Sequence, residues 1–78
     1  MPDTLEATGE ALYGVHWRHQ LAEALGLRLR SVQRWLDGSA PVPAGVWQEL
    51  LTLVDNRRAA LDRVHLDLIK MVNDENKP

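Results

Sequence analysis

Apolar residues recur at helical spacing along most of the chain, and no stretch alternates apolar and polar residues as a half-buried strand does. The pattern therefore predicts an all-α fold. Thr4 is a candidate N-cap for a first helix, which would stop near Gly14. The inward face of this helix would consist of Leu5, Thr8 or Gly9, and Leu12.

Two shorter helices are predicted next. The second begins near Trp17 and ends before Gly26, whose tolerance of positive φ suits a sharp exit. The third extends from about Arg28 to Asp37 and closes at Gly38. Residues expected to point inward are Leu21, Ala22 and Leu25 in the second helix and Val32, Trp35 and Leu36 in the third.

The segment from Arg18 to Trp35 has the spacing of two short helices that cross steeply around a three- to four-residue turn. A small side chain at Ala22 lets the helices approach each other, and Gly26 takes the left-handed turn. The apolar residues expected to fill the wedge between these helices and the rest of the domain are Leu21, Leu25, Leu27, Val32 and Trp35.

The second half of the chain is predicted to be one or two long helices. Residues 40–43, with the sequence APVP, favour a stiff extended connector. After Gly45 neither Gly nor Pro occurs until Pro78, although Asp55 is a candidate cap for a new helix and would allow a bend. From Trp47 onward a three-four repeat follows the spacing of a coiled-coil seam, in which Arg57 is unsuited to a dry contact. The later part of the seam consists of Leu61, Val64, Leu68, Met71 and Val72.

Composition places the chain among ordinary globular proteins. A length of 78 residues is enough for one small domain, and the absence of cysteine excludes a disulfide-stapled miniprotein and a zinc finger. No apolar run is long enough to cross a bilayer, and the N-terminus lacks the positive region of a signal peptide, so we expect a cytoplasmic protein.

Charge is unevenly distributed. The net charge is −2, yet residues 16–38 contain four arginines against Glu23 and Asp37, a local +2. Arginine is suited to bidentate contacts with phosphates and guanine edges. A solvated helix face is the simpler explanation for charge alone, so this cluster needs support from a motif.

Residues 21–27 (LAEALGL) and 31–38 (SVQRWLDG) resemble the helix-turn-helix core of the lambda-repressor-like family, which includes the phage Cro and repressor proteins. The resemblance covers about residues 5–55. It implies a compact domain of four to five helices with a C-terminal amphipathic helix, in which the helix after the turn lies in the DNA major groove. Residues 1–55 would form the DNA-binding domain, and residues 56–78 a dimerisation helix with a short polar tail.

The resemblance also implies roles for individual residues. The family's base-reading places fall on Leu29, Arg30, Gln33 and Arg34; arginine matches guanine, glutamine matches adenine, and leucine suits a thymine methyl. Phosphates would be contacted by Arg18, Arg28 and Ser31. The family usually caps the reading helix with Ser or Thr, whereas Arg28 cannot accept a hydrogen bond, so we expect the first turn to lack a side-chain cap.

The apolar stripe of the C-terminal helix must pack against another surface, and two arrangements remain possible. The helix folds back on its own domain, or it pairs with a second copy. Pairing is preferred because a two-fold dimer reads two half-sites about 34 Å apart. We therefore expect a homodimeric transcriptional regulator on an inverted-repeat operator, with repression as the simpler mode. By analogy, such a regulator would come from a phage or mobile element.

The alternative is a protein-interaction module or antitoxin whose C-terminal helix docks on a partner protein. An enzyme is not expected, because no Ser-His-Asp order, glycine-rich phosphate loop or paired-carboxylate cleft is present. His16 and His19 with Glu23 loosely mimic a metal set, but no supporting partner is evident. Neither a metal nor another cofactor is therefore predicted.

Overall fold

The computed structural model describes residues 2–76, and every regular element in that range is helical. The all-α prediction is thus confirmed for this part of the chain. The elements, in chain order, are α1 (Pro2–Tyr13), a 3-10 turn (Gly14–His16), α2 (Trp17–Leu25), α3 (Leu29–Asp37) and α4 (Ala44–Glu75).

Helix α1 begins earlier than predicted. Thr4 lies inside the helix, so its expected role as N-cap is wrong; Pro2 occupies the first position, where its missing N–H costs nothing. The Thr4 carbonyl instead accepts a hydrogen bond from the Thr8 hydroxyl at 2.7 Å. The predicted inward face is confirmed at Leu5, Gly9 and Leu12, which are buried.

The exit from α2 follows the sequence prediction. Gly26 adopts a left-handed φ of 69°, and its N–H donates to the Glu23 carbonyl. The Leu27 N–H donates to the Ala22 carbonyl at 2.9 Å, which completes the capping pattern of a helix that ends at glycine. Leu27 itself is 40% exposed, so its expected burial in the wedge is wrong. The left-handed turn places Leu27 at the edge of the core, where its backbone N–H caps α2 and its side chain is partly exposed.

Helix α3 ends at Gly38, which has a left-handed φ of 83°. Residues 39–43 then form the non-helical connector that the two prolines predicted. Leu36, expected to be buried, is half-buried and packs against the edge of the core.

Helix α4 is one continuous helix of 32 residues. Of the two possibilities that the sequence left open, the single long helix is the one observed, and no new helix starts at Asp55. Asp55 and Asn56 are both exposed on the helix surface, where their polar side chains are compatible with uninterrupted backbone hydrogen bonding.

Helix α1 is the centre of the packing, since it contacts α2, α3 and α4. Arg57 Nη2 of α4 donates a 2.6 Å hydrogen bond to the Leu12 carbonyl near the end of α1, and beyond this point α4 projects from the body. Lys77 and Pro78 of the expected polar tail lie outside the described residues. The core consists of Leu5, Leu12, Trp17, Leu21, Ala22, Val32, Trp35, Val46 and Leu50.

Candidate nucleic-acid interface

The outward side of α3 carries three of the predicted base-reading residues. Arg30, Gln33 and Arg34 are exposed, whereas Val32 and Trp35 on the opposite side of the helix are buried. Since successive helical residues are rotated by about 100°, the three exposed side chains share one side of the helix. We call Arg30, Gln33 and Arg34 the α3 outer face.

A cleft of about 210 Å³ separates the N-terminal ends of α2 and α3. It brings Arg18 of α2 next to Leu29 and Gln33 of α3. Leu29, however, is half-buried rather than fully exposed, because α2 and the preceding turn cover part of it. The α2–α3 cleft is lined by Val15, His16, Arg18, His19, Leu29 and Gln33.

Ser31 lies on a different side of α3. Together with Arg34 it borders a second cleft, of about 400 Å³, between α3 and α4. Ser31 is half-buried there, beside Leu27 and near Glu49 of α4. Ser31 and Leu29 therefore border different clefts. Arg34 belongs to the α3 outer face and also borders the α3–α4 cleft.

Arg18 is positioned by an aromatic ring. Its guanidinium carbon lies 5.1 Å from the centroid of Trp17, within the range of a cation–π interaction. Trp17 is 1% exposed and belongs to the core, so the ring is fixed. A fixed ring restricts the arginine that opens α2 and holds its charge at the mouth of the α2–α3 cleft.

Both helices at this cleft begin without a side-chain cap and without an acidic residue in the first turn. The expected lack of a cap at Arg28 is confirmed: its backbone is extended and its carbonyl accepts the Ser31 N–H at 3.0 Å. The first N–H groups of each helix, and the positive end of each helix dipole, thus carry no local anionic partner.

Asp37 places a carboxylate at the end of α3, near Arg34 of the outer face. Hydrogen bonds from the Ser39 hydroxyl and backbone N–H lower the pKa of the Asp37 carboxyl, and the Arg34 charge adds to the effect. The Ser39 N–H donates to Asp37 Oδ1 at 2.8 Å. This carboxylate is therefore held at the C-terminal end of α3, away from the uncapped N-terminus.

Three residues near the cleft were not predicted as site residues. Val15 is 82% exposed in the 3-10 turn, and His16 and His19 line the cleft beside it. The sequence could have indicated the two histidines as site residues, because they fall in the same stretch as the four arginines. Nothing in the local pattern distinguishes Val15, because its exposure depends on how the turn between α1 and α2 is oriented.

The predicted dimer-interface residues are all exposed, with 51–64% of each residue's surface accessible. The folded-back alternative is therefore not what the structure has: α4 is one uninterrupted helix, and the body does not cover this part of it. We call Leu61, Val64, Leu68, Met71 and Val72 the α4 stripe.

Other site types find little support in the part of the chain that the structure describes. Residues 2–76 contain no group of three or more His, Asp or Glu side chains arranged to hold a metal ion. None of the helices within that range is both long enough and apolar enough to pass through a membrane. No protein-family profile, curated protein or solved structure matches the chain.

Proposed function

We propose that the chain is a sequence-specific DNA-binding regulator in which α2 and α3 act as a helix-turn-helix and the α3 outer face enters the major groove. The observation that carries this proposal is the exposure of Arg30, Gln33 and Arg34 on one side of a short helix whose other side is buried. A helix with this arrangement can be inserted into a groove without disturbing the core.

The chemistry of the outer face suits base edges. Arg30 lies between Gln33 and Arg34 around the helix axis, so the two forked guanidinium groups are adjacent and the amide lies at one edge of the face. Arginine pairs with O6 and N7 of guanine, and glutamine with N6 and N7 of adenine. Leu29 is half-buried, which leaves only part of its side chain for a thymine methyl.

Phosphate contacts are assigned to the edges of the same surface. Arg18 and Arg28 are exposed at the starts of α2 and α3, where no side chain caps the first backbone N–H groups. These groups would hold the reading helix in register without reading sequence themselves. Ser31 would contribute from the α3–α4 cleft.

The regulator would act as a homodimer. The α4 stripe is a broad apolar surface of the kind that monomers rarely leave uncovered, and a symmetric pair would read an inverted-repeat operator. Occupying such an operator obstructs polymerase, so repression is the simplest outcome.

The experiment that tests DNA binding combines salt dependence with arginine substitutions. Affinity for a selected operator should fall linearly in log–log form with added salt, because bound phosphates release counterions. Arg34→Ala should weaken binding to the preferred site by about 5- to 150-fold, equivalent to about 1–3 kcal/mol, and relax one base position. Arg18→Ala should weaken binding to all sequences alike.

Arg63→Ala is the matched control, because Arg63 is exposed on α4 at a distance from both clefts and should leave DNA affinity unchanged. Equal loss of affinity from Arg34→Ala on all sequences would remove Arg34 from base reading. Absence of any salt dependence would overturn DNA binding itself.

A second candidate function is a protein-interaction module or antitoxin whose α4 docks in the groove of another protein. The exposed α4 stripe is the observation in its favour. Such a module should show little dependence of partner affinity on the four arginines near α3, so the same substitutions separate the two functions.

A further inference from the structure

The free part of α4 has an apolar surface that calls for a specific partner. Beyond Arg57 every described residue of the helix is exposed, including the whole α4 stripe. Ile69 is also 43% exposed beside the stripe, which widens the apolar surface. A surface of this kind on a projecting helix is typical of an interface.

The stripe lies on the same side of α4 as the body of its own chain. Leu50 is buried against the core, Arg57 bonds to α1, and Val64 follows at the same seven-residue spacing. Since seven residues are nearly two helical turns, these positions fall almost in line. The body therefore occupies the stripe side at the N-terminal end of α4.

This position of the body decides the direction of pairing. In a parallel pair, both bodies would have to occupy the same space between the two α4 helices. In an antiparallel pair, each body lies beyond the end of the other helix. A second copy can therefore cover the stripe only if its α4 runs in the opposite direction.

Charge indicates the register. The end of the free segment nearest the body carries Arg57 and Arg58, and the far end carries Asp74 and Glu75. Antiparallel pairing brings the basic end of one helix to the acidic end of the other, whereas parallel pairing places like charges together. In antiparallel seams the two alternating seam positions face each other, and opposite charges there fix orientation.

We propose that α4 pairs antiparallel with α4 of a second copy, in the register that places Arg57 opposite Glu75. This inference rests on the homodimer in the proposed function and specifies its geometry. The seam layers are then Leu61 with Met71 and Val64 with Leu68, each occurring twice about the two-fold axis. Asp67 lies beside its own copy near that axis, at the solvent-exposed edge, where salt screens the repulsion.

The neighbouring registers are poorer. A shift of one heptad toward the body brings Glu75 of the second copy opposite Leu50, which is already buried against the core. A shift of one heptad away leaves Leu61 uncovered and Arg57 without an opposite charge. The proposed register thus gives the longest overlap of the two α4 helices that the body permits. It covers α4 from Arg57 to Glu75.

Cysteine crosslinking tests this arrangement directly, because the chain has no cysteine of its own. Leu61→Cys and Met71→Cys are made in separate full-length chains at exposed positions, so folding is preserved. Each variant alone should give no disulfide-linked dimer under mild oxidation. An equimolar mixture should give the mixed dimer, identified by intact mass. Leu66→Cys, exposed on another side of α4, is the control and should not crosslink.

A second measurement uses Glu75→Gln, which removes the charge and keeps the shape. The dimer dissociation constant should rise by about two- to tenfold in sedimentation equilibrium, because two exposed ion pairs are lost. A parallel pair would instead be strengthened by this change, since like charges would be relieved.

Several outcomes overturn the inference. Self-crosslinking of Leu61→Cys, or a tighter Glu75→Gln dimer, would show parallel pairing and leave the proposed homodimer intact. A monomer at every concentration, with salt-dependent DNA binding preserved, would overturn both the antiparallel pair and the homodimer but not the DNA-binding function.

Discussion

At the scale of single residues, Gly9 has a role that its helical position conceals. Glycine inside a helix normally costs about 1 kcal/mol relative to alanine. Here the buried ring of Trp17 lies directly against the Gly9 backbone, and a Cβ at this position would overlap the ring atoms Cε3 and Cδ2. The glycine thus allows α1 to approach the first residue of α2.

We predict that Gly9→Ala destabilises the protein despite the better helix propensity of alanine. Displacing a packed tryptophan costs about 1–3 kcal/mol, which should exceed the gain of about 1 kcal/mol from propensity. The measurement is the free energy of unfolding in urea.

Gly45→Ala is the matched control, since Gly45 lies in the first turn of α4 and a Cβ added there would meet no atom within 4 Å apart from its chain neighbours and the backbone of its own helix. It should leave stability unchanged or raise it slightly. A Gly9→Ala protein as stable as the control would mean that Trp17 relocates without cost.

Residue-level predictions from sequence succeeded where local chemistry decides the outcome. The missing cap at Arg28 follows from a side chain that cannot accept a hydrogen bond, and the left-handed turn follows from Gly26. Exposure at Leu27 and Leu29 was not predictable in this way. Their surroundings are set by neighbouring elements, which place one at a rim and the other partly under the α1–α2 turn.

At the scale of elements, the ends of α2 and α3 were anticipated because glycine and proline mark them in the sequence. The start of α1 was not, and the sequence left the continuity of α4 open. Thr4 and Asp55 both have the chemistry of caps, yet each lies within a helix that began upstream. A capping residue permits a helix start but does not require one, and only the packing of the whole element decides.

The α4 stripe gives a prediction at this scale. Replacing Leu61 and Leu68 together by glutamate should produce monomers in analytical sedimentation, because each glutamate would be buried without a partner charge, against Met71 or Val64 of the second copy. Leu66→Glu is the control, since Leu66 is equally exposed but lies on another side of the helix.

The double variant should retain its helical content by circular dichroism, because both positions are exposed in the single chain. An unchanged mass for the double variant, or dissociation caused by Leu66→Glu, would show that the stripe does not form the interface.

At the scale of the whole molecule, the chain is elongated. Its principal extents are 61 × 22 × 21 Å and its radius of gyration is 16.8 Å, against about 11–12 Å expected for a compact domain of this length. The excess comes from the free part of α4. Sequence periodicity identified the α4 stripe but not the surface that packs against it. An amphipathic helix has the same pattern whether it packs on its own chain or on another.

In the proposed dimer, the length of α4 sets the distance between the two α3 helices. The α3–α4 cleft places α3 level with Val46 and Glu49, so antiparallel pairing would separate the two reading helices by about 55 Å along the α4 axis. Neighbouring major grooves on one face of B-DNA are only about 34 Å apart. The α3 helices of the proposed dimer would thus lie about 1.6 turns of B-DNA apart, and oligonucleotide selection should return half-sites spaced more widely than the single turn that the resemblance implied. Recovery of half-sites a single turn apart would require the two bodies to approach more closely than such a pair allows.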